Sequence, residues 1–418
     1  MLTSARIGHQ QPSPFAERDG VPSSALIDKL LREVPYTHDV VLDEHTTAVL
    51  GSRLQDAARL LSEFPLTSNP TDRAESFRYL LSMIAYAIDA GVLNADPLEP
   101  MFSQPYRLHL LDWGGASPDA VYRRAMVRDD RSYRVHGRLG NAEYLSIALR
   151  QSAEACTITR DELDASADGT FEVYFGGSPR EQHWWPLLDG TSGLVVRELF
   201  GDWLGAQRSL LRIDCLDGEQ APRPEHSSRR VAAEFDLIGE WILEGAVRYW
   251  AERSIPLATD ARNRFLPQPH RTDTKLPTTS FGWWDFEPDE ALIVELRNPG
   301  ATFWGLHLVT SLWHTLDYAN RLTTHNVSQA HRDEDGVYRF VVSSQDPGTF
   351  NWLDTMGLQR GVVILRFCDA VDPLPPGTEV VKLSEVLERL PATRRCTPDQ
   401  RRAQIAERRE GVARLICD

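Results

Sequence analysis

The sequence predicts a mainly β protein with helical additions: a tandem of two jelly-roll-like β-sandwich modules, an N-terminal helical region and a helical linker. Three observations predict it. Short runs of β-branched and aromatic residues, divided by Gly, Asp and Pro, fill 105–215 and 280–370. Apolar residues at helical spacing fill the stretches before and between these blocks. One ordered set of residues occurs twice.

Residues 1–22 are polar and Pro- and Gln-containing, and are expected to be a disordered tail. Residues 23–100 form the helical region. Leu50, Leu54, Ala57, Leu61 and Phe64 follow one another at spacings of 4, 3, 4 and 3, one face of a helix. Phe77, Leu80, Leu81, Ile84, Ala85 and Ile88 make a broad stripe on a second helix, with Asp72 and Glu75 as its expected start. The first β module spans 105–215, with strands expected at 121–127, 132–135, 143–149, 170–175, 193–200 and 209–213. The helical linker spans 225–260, where Val231, Phe235, Ile238 and Ile242 form one stripe. The second β module spans 280–370, with strands expected at 291–296, 303–309, 337–342 and 361–367. Residues 371–418 are expected to be a helical tail. There Thr397, Pro398 and Gln400 form a capping signature.

The repeat pairs Asp168-Gly169, leading into Thr170–Phe175, with Asp335-Gly336, leading into Val337–Val342. Trp185 follows Asp168 by 17 residues, and Trp352 follows Asp335 by 17. Each Trp precedes a loop containing Asp and Gly, then a strand with a late Arg, Arg197 in one case and Arg366 in the other. Any one match is weak; the ordered set predicts duplication.

The second copy, with Trp304-Gly305, Leu316-Asp317-Tyr318, Arg321, Asp346-Pro347-Gly348, Asn351-Trp352-Leu353-Asp354 and Arg366, resembles the bacterial domain-of-unknown-function family numbered 1214, often found with its relative numbered 1254. The first copy, Tyr133–Arg138 with Trp185 and the Arg197 strand, is similar to a version of the same pattern. The resemblance covers roughly 105–370. It implies a β-sandwich or jelly-roll module and no established catalytic residues. The long helical segment between the copies departs from the usual tandem.

Composition narrows the function. The 418 residues are 42% hydrophobic and carry a formal charge of −15, which repels phosphate backbones and anionic lipid. Nucleic acid and membrane partners are therefore not expected. Lys29, Lys275 and Lys382 are the only lysines, so Schiff-base chemistry has few candidates. Five scattered cysteines without a Cys-x-x-Cys pair fit a reducing, cytoplasmic setting. No apolar run reaches transmembrane length. Nucleotide-binding glycine loops and the Gly-x-Ser-x-Gly elbow are missing, so no cofactor is expected.

The densest polar and aromatic cluster lies in the second copy. Candidate catalytic residues are His307, His314, Asp317 and Asp354, since imidazole beside carboxylate suits acid–base work near neutral pH. Candidate ligand-binding residues are Trp304, Trp313, Tyr318, Arg321, Asn326, Asn351, Trp352 and Arg366. Flat Trp faces suit sugar or fused apolar rings. Each has a structural alternative. His307 on a strand is a core histidine, Asp346, Asn351 and Asp354 are turn residues, Arg366 is half of an ion pair, and Trp residues fill cores. No His-rich ligand spacing supports a metal. The leading expectation is a cofactor-independent acid–base enzyme for a small hydrophobic or carbohydrate-like molecule. A non-catalytic small-molecule or glycan binder and a structural or assembly subunit, including a homo-oligomer, are the alternatives.

Overall fold

A computed structural model describes residues 34–89, 96–103, 112–150, 154–217, 226–267, 277–298, 300–370 and 374–417. The expected disordered tail and the start of the helical region at 23–33 lie outside these residues, as does Lys275. Helix α1 (Glu44–Glu63) is closed by a reciprocal cap. Asp43 accepts from the His45 amide at 2.9 Å, and the Asp43 amide donates to Thr46 Oγ1 at 3.2 Å. Its predicted stripe turns inward, with Ala57 and Leu61 fully buried.

Helix α2 (Pro70–Ile88) starts a little earlier than expected. Asn69 caps it and Pro70 opens it, because a ring-fixed φ and a missing N–H cost nothing at that position. Its predicted stripe is also corrected. Phe77, Leu81 and Ile88 are exposed, whereas Tyr79, Leu80, Met83, Tyr86 and Ala87 face the core. The inward face was hidden by its tyrosines: Tyr79 buries its ring and gives its hydroxyl proton to the Ala246 carbonyl at 3.1 Å.

The first block folds into β1 (Ala120–Met126), β2 (Tyr133–Arg138), β3 (Tyr144–Arg150), β4 (Glu154–Thr159), β5 (Thr170–Phe175), β6 (Trp184–Trp185), β7 (Gly193–Leu199) and β8 (Leu210–Cys215). These pair as two sheets, β1-β7-β3-β4 and β6-β5-β2-β8. Ala125, Ile147 and Leu194 of the first sheet meet Val135, Val173 and Ile213 of the second in one core. That is a sandwich, with period-2 alternation choosing the inward residues.

A helix then runs from α3 (Ser228–Glu240), through a π-helical stretch (Trp241–Arg248), into α4 (Tyr249–Asp260). After the short β9 (Arg264–Phe265) come β10 (Thr278–Asp285), β11 (Glu290–Arg297), β12 (Phe303–Val309), β13 (Thr324–Asn326), β14 (Val337–Ser343), β15 (Trp352–Asp354), β16 (Arg360–Cys368) and β17 (Gly377–Lys382). Their sheets are β10-β16-β12-β13 and β15-β14-β11-β17. Shifted by nine, this is the strand order of the first block, strand for strand. Strand β17 falls in the segment expected to be helical. The tail beyond it holds α5 (Val386–Arg389) and α6 (Pro398–Cys417). The Thr397–Gln400 cap is formed in both directions.

The sheets β1-β7-β3-β4 and β10-β16-β12-β13 turn their outer faces toward each other. Leu199 packs on Phe303 and Cys368 across this seam. This explains why every residue of β12 is buried: Trp304, Leu306 and Leu308 fill the second sandwich, while Phe303, His307 and Val309 face the seam and α4.

Candidate functional site

The seam is where polar chemistry collects. Strand pairing sets Ser146 opposite Arg197, and Gly305 opposite Arg366. The two arginines therefore occupy equivalent register positions on facing sheets. Tyr122 lies in the same row as Arg197.

Between the sheets runs the segment 112–119. Gly114 and Gly115 have φ of +73° and +63°, which glycine adopts without penalty. A Cβ on Gly115 would sit 2.7 Å from Ile364 Cδ1. This tight bend brings the Gly115 carbonyl to Arg366, whose Nη2 donates to it at 2.9 Å. His307 Nε2 reaches the same carbonyl at 3.4 Å. Arg366 Nη1 donates to the Tyr122 hydroxyl at 3.3 Å.

Asp119 is fully buried at the end of this segment. Its Oδ1 accepts from Trp203 Nε1 at 3.0 Å and from Asn326 Nδ2 at 2.7 Å. Its Oδ2 has no hydrogen-bond partner among the described residues. A Cβ on Gly305 would lie 2.4 Å from that oxygen, so only glycine leaves room for the carboxyl there. Burial pushes Asp119 up to about 6, against the pull of Asn326, Trp203, Arg408 and Arg366. Asp112 is crowded by protein but keeps part of its surface open, and burial pushes it up to about 7, opposed by Arg124. Both acids, after burial itself, help raise the Tyr318 hydroxyl well above its ordinary value.

Beside Asp112 an aromatic ladder begins. Trp113 lies 6.1 Å from Trp241 and 5.7 Å from Trp250, and Trp250 lies 4.8 Å from Trp313. Tyr86 stacks on Trp241 at 5.1 Å and lies under the Arg124 guanidinium. The π-helical stretch takes part: the Gly245 carbonyl accepts from Trp113 Nε1 at 3.4 Å.

Of the sequence candidates, His307, Tyr318, Asn326 and Arg366 come together in the seam, and Trp313 joins the ladder. Among the described residues, no hydrogen bond or ion pair joins His307 to Asp317 or His314, so these catalytic candidates do not make an acid–base pair. His307 Nε2 goes to Gly115, and Nδ1 has no partner among the described residues. Burial, then Arg366, holds its pKa well below the ordinary value, so the ring is neutral. His314 is buried against the Tyr79 ring at 5.4 Å. Asp317 accepts from the Ala319 and Asn320 amides, as a turn residue does.

The remaining candidates serve the second sandwich. Trp304 is fully buried in its core, so it cannot face a ligand. Trp352 gives its indole proton to the Ser343 carbonyl at 3.2 Å beneath Arg401. Asn351 holds His331 through two bonds of 2.7 Å. Arg321 and Asp354 form an ion pair at 2.7 Å, and Asp354 also accepts from the Met356 amide. Asp346 accepts from the Gly348 amide and pairs with Arg401 of α6. Arg366 is in no ion pair among the described residues; its partners are neutral oxygens.

Sequence reasoning missed Asp112, Gly115, Asp119 and Tyr122. The available signal was local: Gly114-Gly115, then Ser117-Pro118-Asp119 ahead of a strand, marks a tight turn with polar groups at both ends. Among the described residues, no group of three His, Cys, Asp or Glu is placed to hold a metal ion. Nor is any helix there long and apolar enough to cross a membrane.

No family model matches the chain, and no curated protein matches it. Among solved structures, an uncharacterised protein from Burkholderia cenocepacia is 24% identical, with a TM-score of 0.75 over 86% of this chain and 100% of that one. A protein from Vibrio parahaemolyticus is 12% identical, with a TM-score of 0.41 over 79% of this chain and all of its own. The chain thus shares its mainly β fold, helices included, with the Burkholderia cenocepacia protein.

Proposed function

We propose that the chain is a cofactor-independent enzyme that uses acid–base chemistry on a small molecule held at the mouth of the seam. The observation that carries this reading is Asp112. It is a part-open carboxyl held at about 7, beside Arg124 and at the foot of the aromatic ladder. A carboxyl titrating near neutral pH can both take and return a proton. Trp113 supplies a flat apolar face for the substrate. Asp119, sealed from solvent, acts behind it as a positioning group through Asn326 and Trp203.

The reading includes a cytoplasmic location, an origin of the two sandwiches by duplication and membership of the family numbered 1214. The shared strand order and the equivalent Arg197 and Arg366 support the duplication. The test is proton exchange. The protein is incubated in D₂O with mixtures of small metabolites and followed by proton NMR. The expected result is a compound that loses a C–H signal or is consumed, with the rate falling on the order of 100-fold or more in Asp112→Asn. Compounds that bind without exchange or consumption would make the protein a binder instead.

A further inference from the structure

We propose that the ligand of the seam carries a carboxylate, and that Arg366 receives it. This rests on the seam being the functional site, and it names the substrate class. Arg366 enters from β16 with its side chain only part exposed, yet its bonds go to a backbone carbonyl and a phenol. Among the described residues no carboxylate contacts this guanidinium, and none of its nitrogens is buried without a partner, so its remaining N–H donors are open to a ligand. Asp119 is close enough to feel it but makes no ion pair with it among the described residues: its Oδ1 accepts from Trp203 and Asn326, and its Oδ2 has no hydrogen-bond partner there.

The two anchors fix Arg366 rather than satisfy it. Guanidinium has five N–H donors in a planar fork, and among the described residues two of them are used. A fork clamped by Tyr122 and Gly115 is already oriented for a planar carboxylate, so little side-chain freedom is lost on binding. Charge favours a monoanion over phosphate. Asp112 and Asp119 both lie close enough to Tyr318 to raise its hydroxyl, and a dianion in the seam would meet them as well as the arginine. The chain as a whole is acidic, at −15, so long-range attraction does not draw anions in. Selection of a carboxylate has to be local, as a pre-set arginine provides. Trp113 and Trp250 beside the segment favour an organic acid with an apolar body.

The experiment uses the full chain at neutral pH. Binding of a series of aliphatic and aromatic monocarboxylates is measured by calorimetry against their matched primary amides and against inorganic phosphate. The expected result is that at least one acid binds tenfold or more tightly than its amide, and that Arg366→Gln erases the difference. If Arg366→Gln does not fold, Tyr122→Phe replaces it. It removes one anchor and is expected to weaken the acid severalfold while leaving the amide unchanged. Acids and amides binding alike, phosphate binding best, or an acid preference that survives Arg366→Gln would each overturn the proposal. Asp112→Asn separates the two claims. An acid that still binds this variant, with no turnover by any form, leaves the carboxylate site standing and removes the enzyme. Turnover of a neutral compound, untouched by Arg366→Gln, does the reverse.

Discussion

At Asp119 the balance of forces can be read from one side chain. Two hydrogen bonds and two nearby arginines favour its charged form, yet burial outweighs them and the pKa rises to about 6. A group with a raised carboxyl pKa binds its proton more tightly folded than unfolded. Stability is therefore lost as pH rises from the ordinary carboxylate value toward the folded one, and the loss is complete above it. Across about two pKa units this is on the order of 3 kcal/mol. Asp119→Asn keeps an acceptor for Trp203 and Asn326 and abolishes the titration. Urea melts of both proteins at about pH 4 and about pH 7 should show the variant gaining on the parent by about 2–3 kcal/mol at the higher pH. A difference that does not change with pH would mean Asp119 titrates normally. Residue chemistry of this kind was only partly legible beforehand. Arg366 stood out because a cation within Val-Ile-Leu-Arg-Phe needs a reason. Asp119, in a Ser-Pro-Asp turn, carries no sign of its burial in the residues around it.

Among the elements, the segment 112–119 does the most with the least regular structure. It is tied to the turn before β13 by the Gly115 amide, which donates to the Trp313 carbonyl at 2.6 Å, and by Thr315 Oγ1, which donates to Ala116. Trp313 itself has a φ of +59°, unusual for a bulky side chain. Gly115→Ala would place a methyl against Ile364 and hold a left-handed backbone at a further cost of about 1–2 kcal/mol. It should also shift the carbonyl that holds Arg366 and His307. The expected outcome is a lower melting temperature together with weaker ligand binding. Loss of stability with unchanged binding would show that the segment supports the fold but not the site. Long alternating strands were readable at this scale because the pattern runs over many residues. Strands β6, β13 and β15 are two or three residues long, too short for a period to show. Strand β10 breaks its own pattern with Ser280 and Gly282. Gly282 is needed because a Cβ there would lie 2.8 Å from the Arg264 carbonyl.

Taken as a whole, the molecule joins its sandwiches through buried polar bonds as well as apolar packing. Asn326 of the second sandwich donates to Asp119 and to the Gly201 carbonyl of the first. Its own carbonyl accepts from the Ser328 and Gln329 amides. Such a joint predicts that the two sandwiches unfold together. Calorimetry should give a single transition whose calorimetric and van't Hoff enthalpies agree. Asn326→Ala should lower that one transition by about 3 kcal/mol, since it leaves a buried carboxylate short of a donor. Two resolved transitions in the parent would show that the seam is a loose contact.

The sequence by itself determined the fold class, mainly β strands with helical additions. These follow from periodicity and turn chemistry, which act over neighbouring residues and are written in their order. The tertiary structure alone decided where the chemistry gathers. Every strand has two faces, and alternation says which residues share a face but not which face meets another module. Trp304 and His307 are three residues apart on one strand; the first fills a closed core and the second faces the seam. The seam exists because the second sandwich, remote in sequence, closes on the first and on the 112–119 segment that leads into it. Burial there sets the charge of Asp112 and Asp119, and burial is a property of the folded chain rather than of its residues.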